Sequence, residues 1–96
     1  MRPRPKVTLE EAEIIALKAL TFLAADEVRL GRFLDLTGMS AAELKARASE
    51  ASTLSAVLDY LTRDESLLLV FAAEASLEPE KVGPALDALP SMAEGS

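Results

Sequence analysis

Apolar positions along the chain recur three and four residues apart, no stretch alternates with period two, and β-branched residues are scarce. Nearly every segment therefore reads as helix, and strands are not expected. The residues between the apolar runs set the boundaries. Thr8 followed by Glu11 has capping-box spacing, in which each side chain satisfies a backbone N–H at a helix start, and predicts a first helix over 9–25. Asp26 suits the N-cap of a second helix over 27–36, with Gly38 at the left-handed position that ends it. Ser40 with Glu43 repeats the capping box, and Met39 with Leu44 has the spacing of a hydrophobic staple, giving a short third helix over 41–48. A fourth helix is expected over 53–62, and Asp64 caps a fifth over 65–76. Pro79 fits the first turn of a last helix. Pro84 lacks a backbone donor, so that helix should kink or restart near Gly83. The fold class that follows is all-α, a compact bundle of five or six short helices.

Shifting the chain by 38 positions lays Asp26-Glu27 on Asp64-Glu65, Leu20 on Leu58, Leu23 on Leu61, Leu30 on Leu68 and Phe33 on Phe71. The same shift pairs Phe22 with Tyr60, Met39 with Leu77 and Leu44 with Val82. Caps and staples match as well as apolar residues, which a Leu-rich composition alone does not force. The expectation is two similar three-helix units related by a pseudo-twofold axis.

The two copies differ in polarity. Helix two carries Arg29, Gly31, Arg32 and Asp35, whereas its counterpart contains the apolar run Leu67–Ala73. A helix apolar all round is normally surrounded by protein, which makes helix five the expected central element. Helix one is also apolar over more than one stripe, through Ile14, Ile15, Leu17, Leu20, Phe22 and Leu23. A chain this short buries roughly 60–68% of its unfolded surface; burial in the core is the first reading of that coverage, and a dimer or partner surface is the alternative. Ile14, Ile15, Leu17 and Phe22 are the candidate partner-binding residues.

Composition narrows the chemistry. The 96 residues are 50% hydrophobic and 27% charged, which excludes a disordered chain and leaves room for one domain. There is no Cys, His or Trp, so disulfides, thiolate or imidazole metal sites and the usual nucleophile–base pairs are absent. No Gly-rich phosphate loop or nucleophile elbow occurs, and Ser40, Ser52, Ser55 and Lys18 have no activating partner in sequence. The acidic pairs Asp26-Glu27 and Asp64-Glu65 are the most enzyme-like feature. Together they offer oxygen ligands for a hard cation, but helix capping explains them more simply. The chain is read as no enzyme, with no cofactor and no metal.

Net charge is −6 and uneven: residues 48–96 carry nine acids against Arg63 and Lys81. The local positive field comes from Arg29, Arg32, Lys45 and Arg47, together with the opening MRPRPK. The stretch Phe33–Ala48 has the outline of a helix-turn-helix, so nucleic-acid or anion binding through those four cations is the alternative reading. Against it, Ala41, Ala42, Ala46 and Ala48 offer no side chain that reads a base edge. Residues 1–7 read as a flexible basic arm, 8–90 as the single helical domain and 91–96 as a flexible tail. Lys18 interrupts the most apolar stretch and Glu10, Glu11 and Glu13 neutralise its flank, so neither a signal peptide nor a membrane span is expected. A soluble, cytoplasmic protein follows.

The segments ALTFLAAD (19–26), RFLDLTG (32–38) and LDYLTRDESLLLVFA (58–72) resemble a family of short bacterial proteins, domain of unknown function 3572, over roughly Glu13 to Leu89. The resemblance implies a small soluble helical protein and carries no activity, cofactor or catalytic residue. The leading expectation is a non-enzymatic protein-interaction or adaptor module using apolar helix surface, its partner another protein or a second copy.

Overall fold

The helix boundaries are built from the caps that the sequence announces. In a computed structural model, which describes residues 6–90, the Thr8 hydroxyl accepts from the Glu11 N–H while the Glu11 carboxylate accepts from the Thr8 N–H. Helix α1 then runs over Leu9–Ala24. The Asp26 carboxylate accepts from the Val28 and Arg29 N–H groups and opens α2, Glu27–Thr37. Gly38 ends α2 at φ 75°, a left-handed conformation that costs glycine nothing. Ser40 and Glu43 form the second capping box, at the start of α3, Ala41–Ala46. Helix α4, Ala51–Thr62, starts at Glu50 without a side-chain cap. Asp64 accepts from the Leu67 N–H and opens α5, Glu65–Glu74. A 3₁₀ turn over Pro79–Lys81 leads into α6, Val82–Ala88, so the restart falls one residue before Gly83. Pro84 is the third residue of α6, where an N–H has no helical acceptor to lose. The described residues thus form an all-α bundle of six helices, with no strand among them.

Helix α5 closes on a non-glycine residue in the left-handed region, Ser76 at φ 53°. The Leu77 N–H donates to the Ala72 carbonyl at 2.8 Å and the Ser76 N–H to the Ala73 carbonyl at 3.4 Å, the bond pattern of a Schellman motif. A Cβ in this conformation costs about 1 kcal/mol. Ser76→Gly is therefore expected to raise stability by about that amount, read as a higher urea midpoint at unchanged m-value.

The core centres on α1 and α4. Ala12, Ile15, Ala16, Ala19, Phe22 and Leu23 of α1 are buried, as are Leu54, Val57, Leu58 and Leu61 of α4. Helix α1 packs against α2, α4 and α6, and α4 also packs against α5 and α6. Helix α5 is not the central element that its apolar run predicts. It gives Phe71 and Ala72 to the interior, while Leu69 and Val70 remain 49% and 42% exposed. The place beside both α1 and α4 is taken by α6, whose Val82 and Ala85 are fully buried. Small alanines along the inner face of α1 admit that close third helix, and α5 is left at the periphery.

The two halves correspond in several places 38 residues apart. Asp26 and Asp64 are both N-caps, Gly38 and Ser76 are both left-handed, and Leu23 and Leu61 are both fully buried. The rings pair across the halves: Phe22 meets Phe71 with centroids 5.4 Å apart, and Phe33 meets Tyr60 at 5.3 Å. The shift that carries Phe22 to Tyr60 also carries Phe33 to Phe71, so each pair is the image of the other. The third helices are not alike in their packing. Helix α6 lies against α1 and α4, whereas α3 has one buried side chain, Leu44.

Candidate functional site

Helix α1 is apolar on two sides, and only one of them meets the core. Ile15 is 5% exposed and packed in the interior, so this candidate offers no surface to a partner. Ile14, one position earlier and about 100° around the helix, is 51% exposed, and Leu17 is 45% exposed. These two side chains edge a groove of about 510 Å³ between α1 and the last turn of α5. Phe22 and Phe71, in tilted ring contact, form its floor. Lys18, Thr21 and Ala25 line the α1 side, and Glu74 and Ala75 the α5 side. The Thr21 hydroxyl donates to the Leu17 carbonyl at 2.9 Å, which leaves the groove surface predominantly hydrocarbon.

Arg29 reaches this site from α2. Its guanidinium lies 4.2 Å from the centre of the Phe22 ring and 3.8 Å from a Glu74 carboxylate oxygen. The cation over the ring and the paired acid tie α2 to α1 and α5 and set one polar end on an apolar groove. Arg29 is thus held by the Phe22 ring and Glu74 instead of standing as a free cation. Arg47 faces Glu50 at 3.9 Å, both exposed. Arg32 is exposed on α2, and Lys45 of α3 lines a second, smaller apolar hollow of about 290 Å³ with Leu20, Leu30 and Leu44. Two of the four cations singled out for nucleic acid are therefore turned toward acids of the chain itself.

Asp26 and Asp64 bind backbone N–H groups at helix starts. Among the described residues, no group of three or more acids is placed to hold a metal ion, and no helix is long and apolar enough to cross a membrane. Residues 1–5 of the basic arm and the tail 91–96 lie outside the described residues; Val7, assigned to the arm, packs half-buried against the core.

Thr21, Ala25 and Lys18 were open to inference beforehand, since they continue the helical strip begun by Ile14 and Leu17. Phe71, Glu74 and Ala75 carry no such signal, because only the tertiary arrangement brings the end of α5 beside α1.

No curated protein and no solved structure matches the chain. A family model, described as "Protein of unknown function (DUF3572)", matches residues 9–92. That span takes in all six helices and both walls of the groove, and the chain belongs to this family.

Proposed function

We propose that the protein is a non-enzymatic interaction module whose α1–α5 groove receives an apolar helix of a protein partner. The observation that carries this reading is the contrast between two equivalent faces. Ile14 and Leu17 stand half-exposed on α1 over a ring-floored groove. At the positions 38 residues on, α4 carries Ser52 and Ser55, both half-buried, and the Ser55 hydroxyl donates to the Pro90 carbonyl at 3.4 Å. Polar residues thus lie where the chain covers itself and apolar residues where it does not, the reverse of what folding alone favours. The same correspondence, with its reciprocal ring pairs, supports reading the halves as an internal repeat.

Covering the exposed halves of Ile14 and Leu17 is worth about 2 kcal/mol in all. An occupant held by these two alone is transient, so a stable one must also reach Phe22 and Phe71. An amphipathic helix with anchors three and four residues apart has the right shape for such a groove. We take the module to act in the cytoplasm. The nucleic-acid alternative has less to support it, since Arg29 and Arg47 are each engaged by an acid of the chain.

A benzophenone side chain placed at position 17 in the native cell tests the reading. Irradiation is expected to give a protein adduct, whereas the same side chain at the exposed Asp35 position on α2 gives none. Absence of adducts at position 17, or equal adducts at both positions, overturns it.

A further inference from the structure

We infer that the partner's helix carries a carboxylate where it crosses Lys18, beside an otherwise apolar face; the inference rests on the docking reading above. Two of the residues lining the groove are charged, Lys18 on α1 and Glu74 on α5. Their surroundings differ. Glu74 is already met by Arg29 at 3.8 Å, and Arg29 is itself held over the Phe22 ring. Lys18 has no such counter-charge. The positions three and four residues from it on α1 are Ile14, Ile15, Thr21 and Phe22, none of them acidic. Among the described residues, no carboxylate forms an ion pair with it. The acids of the same helix, Glu10, Glu11 and Glu13, all lie in its first turns, and Glu11 is taken up by the capping box.

With Glu74 compensated, the groove lining presents one uncompensated charge, and its sign is positive. Covering the groove with hydrocarbon alone takes the Lys18 ammonium partly out of water with nothing in exchange. Its four-carbon stem lets the ammonium reach the rim, where a carboxylate on the flank of the docked helix meets it. Such a pair adds little strength but discriminates, because a basic residue at the same place sets like charges together. The demand is for one carboxylate at one place, not for an acidic partner. The chain's own net charge of −6 disfavours any strongly acidic body at long range, a second copy of itself included. The partner that fits is therefore a different protein, whose helix has apolar anchors three and four residues apart and one Asp or Glu on the side over α1. Arg29 takes part in this selection through Glu74, since it neutralises the one acid in the lining that would repel the incoming carboxylate.

The photo-adduct at position 17 supplies the readout, its yield compared between variants at fixed irradiation. Lys18→Gln is expected to lower the yield about threefold and Lys18→Glu about tenfold, whereas Lys18→Arg keeps it. Arg29→Gln leaves Glu74 unpaired and is expected to lower the yield about threefold. Adding Glu74→Gln to that variant should restore it, which the loss of a merely structural tie would not allow. Mass spectrometry of the digested adduct is expected to find an Asp or Glu within one helical turn of the attached residue of the partner.

A yield untouched by Lys18→Glu, or an attached segment with no acid in that turn, overturns the inference and leaves docking at the groove standing. An adduct formed only with a second copy of the chain does the same. Failure of Glu74→Gln to restore the yield overturns the part given to Arg29. If position 17 of the parent attaches only to lipid, or to nothing, the inference and the docking reading fall together.

Discussion

Phe33→Ala is expected to cost about 4–5 kcal/mol of stability, at the upper end for removal of a buried aromatic ring. Phe33 is fully buried, and its ring stands edge-on to Tyr60, 5.3 Å between centroids at an interplanar angle of 81°. Three losses combine: the transfer of the ring from water, the edge-to-face contact, worth about 1 kcal/mol, and the cavity left where α2 meets α4. Neither helix can collapse into that cavity easily, because α1 holds α2 on one side and α5 and α6 brace α4. Domains of this size are stable by about 5–15 kcal/mol, so the variant should unfold some 20 °C or more below the parent. Phe33→Leu retains most of the volume and should lose about half as much. Urea unfolding followed by circular dichroism measures both. A loss below about 1 kcal/mol for the alanine variant would mean that α2 is not anchored through this ring.

Phe71→Ala is expected to cost about 3 kcal/mol, less than its counterpart although both rings are almost wholly enclosed. The difference lies in what surrounds the void. Phe71 packs on Phe22 at 5.4 Å and forms part of the groove floor. Its removal deepens an opening that solvent already reaches, instead of sealing an empty cavity inside the bundle. A cavity that water or neighbouring side chains can enter carries a smaller penalty than a dry one. The measurement is the same urea titration, run beside Phe33→Ala. A larger loss at position 71 than at 33 would mean that the groove is closed in solution.

What could be read in advance is local. The boxes at Thr8–Glu11 and Ser40–Glu43, the caps at Asp26 and Asp64 and the stop at Gly38 are each decided by residues within a turn of one another. The left-handed Ser76 was legible only indirectly, as the residue that the 38-position shift lays on Gly38. The position of α5 was not legible. Its apolar run states how much surface it would bury, but competition for the site beside α1 and α4 is decided by α6, a shorter helix with two small buried side chains. The same limit separates Ile14 from Ile15. Two adjacent isoleucines on a helix apolar on both sides are equivalent until the neighbouring helices fix its rotation, and they send Ile15 inward and Ile14 to the groove. One side of the groove comes from α5 and its C-cap, so no motif within one segment could have outlined it.

Tyr60 is the chain's only tyrosine, and there is no tryptophan. Its ring sits at the junction of α2 and α4, against Phe33. Ultraviolet emission and near-ultraviolet dichroism at the phenol band therefore report on one seam between the first and second halves of the bundle. The molecule carries its own label for the docking of those halves, and backbone signals can be followed separately for the helices themselves.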